Sequence, residues 1–195
     1  MSQPVQEFIM LLFNLSDSVL CLLMKLFINS INMKLQKQVL ILSLILFSCA
    51  VNAQLPNITD YRVQIKLPTV KGDSLTLASL KGKVVLLDFW ASWCGPCRSS
   101  NRQLVKLYSK YKAKGFEIFS VSLDENKKDW QKAITKDKIT WLQVNDPRGW
   151  DAKTAVNWNI YQLPTSYLIN KNGDVVSIDP GGKELDENVK KLLQE

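Results

Sequence analysis

The chain of 195 residues contains no histidine. This absence excludes Ser-His-Asp and Cys-His catalysis, and with them any zinc site that needs a histidine ligand. Catalytic chemistry must therefore depend on cysteine, carboxylate, lysine, tyrosine or backbone groups. The sequence also lacks internal repeats and low-complexity tracts. Its 46% hydrophobic and 22% charged residues are typical of a globular protein.

Nor does the chain carry a block of like charge, although 25 Lys and Arg against 18 Asp and Glu give a net charge of +7. The basic residues are scattered, and pairs such as Lys127-Lys128 and Lys190-Lys191 stand among acidic residues on predicted helices. This pattern is typical of a solvated surface. We therefore expect no nucleic-acid binding, while a preference for acidic protein partners stays open.

The apolar run Val39–Phe47 is shorter than the roughly 20 residues that a membrane-spanning helix needs. It lies between a basic start, Met33–Lys37, and small residues at positions 51 and 53, just before Gln54. These are the three parts of a secretory signal. We predict an N-terminal export region over residues 1–53, with a signal peptide at 33–53, and one domain over 54–195. The domain is then expected in the periplasm or cell envelope.

Other fates of the export region stay open. The segment Leu46-Phe47-Ser48-Cys49 resembles a bacterial lipobox, in which Cys49 would be lipidated and become the new N-terminus. A retained membrane-anchor helix is a further alternative. A complete signal that begins at Met33 also suggests that translation starts there, so that residues 1–32 are a mis-assigned start. In every case the membrane is contacted only through the export signal or a lipid anchor.

Residues 54–195 predict an α/β fold. Val84–Phe89 is a continuous apolar run with one acid, as expected of a central strand covered on both faces. Cys97–Lys114 has helical spacing and stops at Gly115. The order β–α–β–α–β–α–β–β–α predicts a sheet with parallel strands, flanking helices and an antiparallel edge. The other predicted elements are a strand at Tyr61–Leu67, a hairpin over Thr69–Ser79, strands at Phe116–Leu123, Thr140–Val144, Thr165–Ile169 and Val175–Ile178, and helices at Asp124–Lys136, Lys153–Asn157 and Glu184–Leu193.

The predicted domain holds two cysteines, Cys94 and Cys97, in the segment Trp93-Cys94-Gly95-Pro96-Cys97 between a buried strand and a helix. A cysteine at a helix N-terminus faces unpaired N–H groups and the positive end of the helix dipole, which favour the nucleophilic thiolate. We therefore predict that Cys94 attacks a disulfide and that Cys97 resolves the mixed disulfide. Pro96 suits the first helical turn, and Gly95 leaves the approach to Cys94 open.

Other interpretations of this pair are a zinc half-site, a purely structural disulfide and two buried core cysteines. A zinc site would need a second ligand pair, which the domain does not offer. A bridge that closes so short a loop would stabilise the fold little. A non-enzymatic binding module with a passive pair is a further alternative. So is a thiol peroxidase, although we find no Pro-x-x-x-Thr segment of the kind such enzymes use.

Residues 87–98, LDFWASWCGPCR, closely resemble the thioredoxin active-site signature. The lead-in Leu77–Val85 is similar to that of the TlpA/ResA-like branch of the thioredoxin superfamily, whose members are exported thiol–disulfide oxidoreductases. The resemblance covers about residues 60–195. It implies a thioredoxin fold with an N-terminal β-hairpin extension and a central α/β insertion over residues 125–150. For Trp130, Trp141 and Trp150 in that insertion we expect packing roles.

Two further positions follow from this resemblance. Asp88 matches the buried acid of thioredoxin, and burial is expected to raise its pKa and suit it to exchange a proton with Cys97. A structural, hydrogen-bonded role for Asp88 is the alternative. The strand Phe119–Ser122 lacks the lysine that approaches this acid in thioredoxin, so Asp88 is expected to titrate differently. Pro164, after Leu163, matches the cis-proline beside the disulfide, where the backbone would pair with an extended substrate.

The resemblance also implies how the site is used. We expect a monomer that reduces the disulfides of envelope proteins by thiol–disulfide exchange. It would receive electrons from a membrane thiol carrier. It would use no metal and no cofactor besides the redox-active Cys94–Cys97 disulfide. A role in cytochrome c maturation fits the branch, while the redox direction stays open. The expected catalytic residues are Cys94, Cys97 and Asp88, and the expected substrate-binding residues are Trp93, Gly95, Pro96, Leu163 and Pro164.

Overall fold

The computed structural model describes residues 55–195. The predicted signal peptide, Cys49 and the predicted start at Met33 therefore lie outside the described residues. Within residues 55–195 the chain forms seven strands and four α-helices. The strands are β1 (Lys66–Pro68), β2 (Ser74–Thr76), β3 (Val84–Trp90), β4 (Phe116–Ser122), β5 (Leu142–Asn145), β6 (Thr165–Ile169) and β7 (Val175–Ile178). The helices are α1 (Gly95–Tyr111), α2 (Lys127–Lys136), α3 (Lys153–Asn157) and α4 (Gly182–Gln194).

Five strands form the central sheet, in the spatial order β5-β4-β3-β6-β7. β3 and β4 are paired in parallel and buried along their whole length, which explains their continuous apolar sequences. β5 extends the sheet in parallel beside β4. On the other side, β6 pairs antiparallel with β3, and β7 pairs antiparallel with β6. The predicted α/β class, with parallel strands and an antiparallel edge, is confirmed.

The start of the domain differs from the prediction. Tyr61–Val63 is a short 3-10 helix and β1 begins only at Lys66, so the predicted strand over Tyr61–Leu67 is wrong. The reason lies in tertiary contacts. The Val63 carbonyl accepts a hydrogen bond from the Trp158 indole at 2.9 Å instead of from a neighbouring strand. A hairpin is present, but it lies earlier than the predicted Thr69–Ser79: β1 and β2 form a two-stranded antiparallel sheet over Lys66–Thr76, and Leu77–Leu80 is a 3-10 helix.

Helix α1 and the segment after it link the two central strands. The helix starts at Gly95, two positions before the predicted start, because Cys94 is its N-cap. After a 3-10 turn at Lys112–Lys114, Gly115 adopts a φ of +99°. Only glycine takes this left-handed conformation without the steric cost of a Cβ. The helical segment therefore ends where predicted, and β4 begins at the next residue.

The insertion predicted over residues 125–150 supplies α2 and the edge strand β5. α2 begins at Lys127 rather than at the predicted Asp124. Asn126 caps this helix, since its side-chain oxygen accepts the Lys128 N–H at 2.9 Å. Trp130 is fully buried in the core, as expected of a packing residue.

Strand β3 separates two apolar cores, because successive side chains of a strand point to opposite faces. Its odd-numbered residues pack with the N-terminal hairpin and α3. Its even-numbered apolar residues pack with α1, α2, α4 and both domain cysteines. Asp88 is even-numbered and therefore lies on the face that carries the redox pair. The even-numbered apolar residues are Val84, Leu86 and Trp90.

Candidate active site

Cys94 and Cys97 are joined by a disulfide at the N-terminus of α1. As the N-cap, Cys94 places its Sγ where it accepts the Cys97 N–H at 3.2 Å. Unpaired N–H groups and the helix dipole stabilise negative charge at this position. Both residues are buried, but Cys94 is 6% exposed and Cys97 only 1% exposed, so Cys94 is the more accessible residue of the pair. Attack by Cys94 and resolution by Cys97 stay predictions.

The two residues between the cysteines are exposed. Pro96 lies in the first turn of α1, where its missing N–H costs no helical hydrogen bond. A Cβ built on Gly95 would meet nothing within 4 Å, so internal packing does not require glycine there. Its lack of a side chain instead leaves the surface beside Cys94 low and open to a partner.

A buried carboxylate holds the loop that leads into the redox pair. Asp124, just after β4, is 2% exposed. Its oxygens accept the Ser92 N–H at 2.9 Å, the Ser92 hydroxyl at 2.5 Å and the Ser122 hydroxyl at 2.7 Å. Since Ser92 stands two residues before Cys94, these bonds fix the loop that carries Cys94. No sequence pattern indicates Asp124, because it is 32 residues from Ser92 in the chain and belongs to no motif.

Asp124→Ala is expected to lower the free energy of unfolding by about 2–4 kcal/mol, because three donors lose a buried acceptor. Urea denaturation of the oxidised protein measures the loss. Asp129→Ala is the control, since it removes an exposed carboxylate from α2 and should change stability by less than about 0.5 kcal/mol. Equal losses in the two variants would show that the contacts of Asp124 do not matter.

A second set of contacts ties the redox helix to the insertion. Arg98 forms a bidentate ion pair with Asp137 at the end of α2, and its Nη1 donates to the Ser92 carbonyl at 3.1 Å. The Asn101 amide also donates to Asp137, at 2.9 Å. Burial opposes ionisation of Asp137, but the bonds from Arg98 and Asn101 keep its pKa below the usual value. These contacts hold the N-terminal part of α1 against the end of α2.

Asp88 lies buried in β3, with 5% of its surface exposed. Ser120, its register partner on β4, donates its hydroxyl to Asp88 Oδ2 at 2.9 Å. Burial raises the pKa of Asp88 to about 6, against the lowering effect of the Ser120 hydrogen bond, and the nearby Asp179 raises it further. A carboxyl with such a pKa takes up and releases protons near neutral pH.

A cavity of about 560 Å³ reaches Asp88 between α1, α4 and the segment that follows β7. Pro164 also lines this cavity, and its peptide bond with Leu163 is cis, the conformation that the resemblance implied. Both residues are half-buried. Leu163 packs against the core that contains the two cysteines. The structure therefore brings the buried acid and the cis-proline to one cavity on the redox face.

Two exposed tryptophans form an aromatic pair next to Cys94. Trp93 is 58% exposed and Trp150 is 48% exposed, with ring centroids 6.3 Å apart. Both line a cleft of about 640 Å³ whose other walls come from α2 and the loop after β4. Trp90, in contrast, is fully buried and belongs to the core. No local pattern connected Trp150 with Trp93, because the insertion brings it there from a distant part of the chain.

Residues 55–195 contain neither a candidate metal site nor a candidate membrane-spanning helix. No group of three or more Cys, Asp or Glu side chains in this range is arranged to hold a metal ion. None of the helices in the same range combines the length and the apolar character that crossing a membrane requires.

The sequence model of the Redoxin family matches residues 50–193. This chain belongs to the Redoxin family. Thiol-disulfide oxidoreductase ResA of Oceanobacillus iheyensis is 35% identical over 127 residues, which are 65% of this chain and 65% of that protein. ResA of Halalkalibacterium halodurans is 34% identical over 123 residues, 63% of this chain and 68% of its own length. The chain thus spans about two thirds of the length of these relatives.

The described Redoxin domain is also similar to solved structures. The thioredoxin domain of a thiol-disulfide oxidoreductase from Bacteroides vulgatus matches it with a TM-score of 0.66 and 33% identity, over 72% of this chain and 98% of that one. The predicted membership of the thioredoxin superfamily, in its ResA/TlpA-like branch, is confirmed, and so is the thioredoxin fold. The domain is a thioredoxin-like thiol–disulfide oxidoreductase domain.

Proposed function

We propose that this protein reduces disulfides of cell-envelope proteins by dithiol exchange at Cys94 and Cys97. The observation that carries the proposal is the place of Cys94 as the N-cap of α1, with its Sγ bonded to the Cys97 sulfur and accepting the Cys97 N–H. Once the disulfide is opened, a sulfur in that place is stabilised as a thiolate. The similarity to proteins named thiol-disulfide oxidoreductase ResA supports the same chemistry.

The cycle begins with both cysteines reduced. The Cys94 thiolate attacks one sulfur of a substrate disulfide, which forms a mixed disulfide and expels one substrate thiolate. The Cys97 thiol passes its proton to the Asp88 carboxylate, and the new thiolate attacks the Cys94 sulfur. This attack forms the Cys94–Cys97 disulfide and expels the second substrate thiolate. Two electrons have then passed to the substrate, and the proton on Asp88 leaves through the adjoining cavity.

Docking uses the exposed surface around Cys94. Gly95 and Pro96 present little side-chain bulk, so a substrate disulfide can approach the sulfur. The backbone at Leu163 and Pro164, just before β6, offers hydrogen-bonding groups to an extended substrate segment. Trp93 adds an aromatic contact surface, which Trp150 enlarges. Exposed aromatic side chains of this kind often dominate the binding energy of a protein interface.

Trp93→Ala and Trp150→Ala are each expected to raise KM for insulin about tenfold, because each removes part of the aromatic docking surface. Reduction of a small aromatic disulfide such as DTNB, which needs little docking, should change far less. Tyr61→Ala is the matched control, since it removes an aromatic side chain that is 85% exposed in the N-terminal part of the domain. An unchanged KM for insulin in Trp150→Ala would remove Trp150 from the docking surface.

The compartment and partners belong to the same proposal. The signal peptide predicted at 33–53 places the protein in the periplasm or cell envelope, where a membrane thiol carrier returns electrons to a monomeric enzyme. Apocytochrome c before haem attachment is among the substrates we propose, as the resemblance implies. Mass spectrometry of the mature protein tests the export step. A mature N-terminus at Gln54 is expected; a lipidated Cys49 would contradict this cleavage site but not export, whereas peptides from residues 1–32 in the mature protein would contradict export with cleavage.

The reduction potential tests the direction of electron flow. Equilibration with glutathione buffers is expected to give a value near that of thioredoxin, about −270 mV, because the same Gly-Pro dipeptide separates the cysteines. Such a couple donates electrons to most protein disulfides that are exposed or strained. A potential of about −120 mV, which is that of the strong oxidant DsbA, would overturn the proposed direction of electron flow.

A further inference from the structure

A chain of hydrogen bonds reaches Asp88 from the insertion. The indole Nε1 of Trp141 donates to Ser120 Oγ at 2.8 Å, and Ser120 Oγ donates to Asp88 Oδ2 at 2.9 Å. All three residues are buried, with exposed fractions of 5%, 1% and 5%. Hydrogen bonds in such a place compete little with bulk water and are electrostatically stronger than exposed ones.

The direction of both bonds follows from the chemistry of the groups. An indole N–H only donates, so the Ser120 oxygen must accept from Trp141. The hydroxyl has a single proton, which then points to Asp88 Oδ2. Turning it away would leave a buried donor without its acceptor. Ser120 therefore presents a donor to Asp88 and favours the carboxylate over the carboxylic acid.

The indole that orients Ser120 is itself held in place. Trp141 lies just before β5 and packs edge-on against Tyr108 of α1, with ring centroids 5.9 Å apart at an interplanar angle of 67°. The same core cluster includes Cys97 and the apolar side of α1. The side chain is therefore fixed between the redox helix and the sheet, with its N–H aimed at Ser120.

We propose that Ser120 and Trp141 are positioning residues that keep Asp88 a carboxylate at neutral pH, ready to accept the Cys97 proton. The catalytic part of this inference rests on the proposed function, in which Asp88 is the proton acceptor. Trp141 acts through Ser120 and needs no contact with the reacting sulfurs. A proton taken up by Asp88 goes to Oδ1, because Oδ2 already accepts the Ser120 hydroxyl.

Other ionisable groups surround Asp88 on several elements. Asp179, after β7, raises the pKa of Asp88 by charge repulsion. Lys110 of α1 is paired with Asp186 of α4 at 2.7 Å on the cavity wall. None of these groups is changed in the variants below, so shifts between variants report on the donor chain. Lys106 of α1 also lines the cavity, and the packed elements carry further ionisable residues, among them Tyr108 of α1, Glu117 of β4 and the two cysteines.

Carbon-13 NMR of the Asp88 carboxyl in the oxidised protein measures the midpoint of its titration, with Asp88→Asn assigning the resonance. Ser120→Ala is expected to move the midpoint upward by about one pH unit, because the carboxylate loses its donor. Trp141→Phe is expected to move it upward by less, since the hydroxyl remains but is free to turn. Ser120→Thr keeps a hydroxyl and is expected to restore the wild-type midpoint.

A double-mutant cycle tests whether the indole acts through the hydroxyl. In the Ser120→Ala background, Trp141→Phe should add no further shift. Trp130→Phe is the matched control, because it removes a buried indole N–H of the insertion that has no hydrogen-bond partner among the described residues. An unchanged midpoint in Ser120→Ala, or the same shift from Trp141→Phe in both backgrounds, would overturn the donor chain.

The rate at which Cys97 resolves a mixed disulfide, measured against pH, separates this inference from the proposed function. The midpoint of that profile is expected to move with the NMR midpoint in Ser120→Ala and Trp141→Phe. If the NMR midpoint moves while the rate profile does not, Asp88 is not the proton acceptor and that part of the proposed function fails. The donor chain from Trp141 to Asp88 is supported by the same result.

Discussion

Cys94→Ser is expected to lower the reduction of insulin about 10³-fold or more, to the level of the uncatalysed reaction. The substitution replaces the sulfur at the N-cap of α1 by a hydroxyl, which does not ionise near neutral pH and cannot form a mixed disulfide. The turbidity of precipitating insulin chains, with dithiothreitol as the electron source, measures the loss. Full activity in Cys94→Ser would rule out the proposed mechanism.

Cys97→Ser is expected to fail at the next step. Its Cys94 thiolate still attacks a substrate disulfide, but no second sulfur is present to expel the substrate. The mixed disulfide should therefore accumulate as a one-to-one adduct, visible by mass spectrometry without reductant. Ser99→Ala, an exposed position on the same helix, is the matched control and should keep both activity and turnover. An adduct on Cys97 in Cys94→Ser would show that the two roles are reversed.

Asp88→Asn is expected to stabilise the oxidised protein by about 3 kcal/mol at pH 8. Burial raises the pKa of Asp88 from 3.8 to about 6, so the native state binds its proton more tightly than the unfolded chain does. The contribution of Asp88 to the free energy of unfolding of the wild-type protein is therefore highest below pH 3.8 and falls as the pH rises through 6. The asparagine does not ionise, and its amide oxygen still accepts the Ser120 hydroxyl.

Urea denaturation at several pH values measures this effect. The gain of Asp88→Asn over the wild type should be largest above pH 7 and should vanish toward pH 4, where the wild-type carboxyl is also neutral. Asp129→Asn removes the same charge from the exposed surface of α2 and is the matched control for the change in net charge. A gain that is constant with pH would mean that packing, rather than the buried charge, is responsible.

Much of this architecture is predictable from local patterns. The central strands are visible as continuous apolar runs, because a strand covered on both faces has no polar side. Gly115 marks the end of the helical segment because few other residues adopt its φ. The strand predicted over Tyr61–Leu67 is wrong because Val63 hydrogen-bonds to Trp158, a contact with a residue far along the chain. Local preference yields to tertiary contacts at such a place.

The contacts that surround the active site depend on tertiary structure rather than on local patterns. The bond of Ser120 to Asp88 depends on the parallel register of β3 and β4, which aligns these two residues across the sheet. The pair of Trp93 and Trp150 depends on how the insertion folds back over the redox loop. The hold of Asp124 on Ser92 likewise joins residues that are 32 positions apart. In none of these pairs are the two residues separated by a spacing that belongs to a known sequence motif.

The sequence by itself determined that two cysteines flank Gly-Pro at the start of a helix, that no histidine takes part, and that an acid stands within an apolar strand. These are properties of residue type and spacing. Local chain geometry is enough to turn them into a cysteine at a helix N-cap and a carboxyl buried in a strand. The tertiary structure alone decided what surrounds them: the Ser120 donor, the Asp124 acceptor and the Trp150 ring. Strand register and the packing of the insertion place these groups, and both depend on side chains meeting across the whole domain.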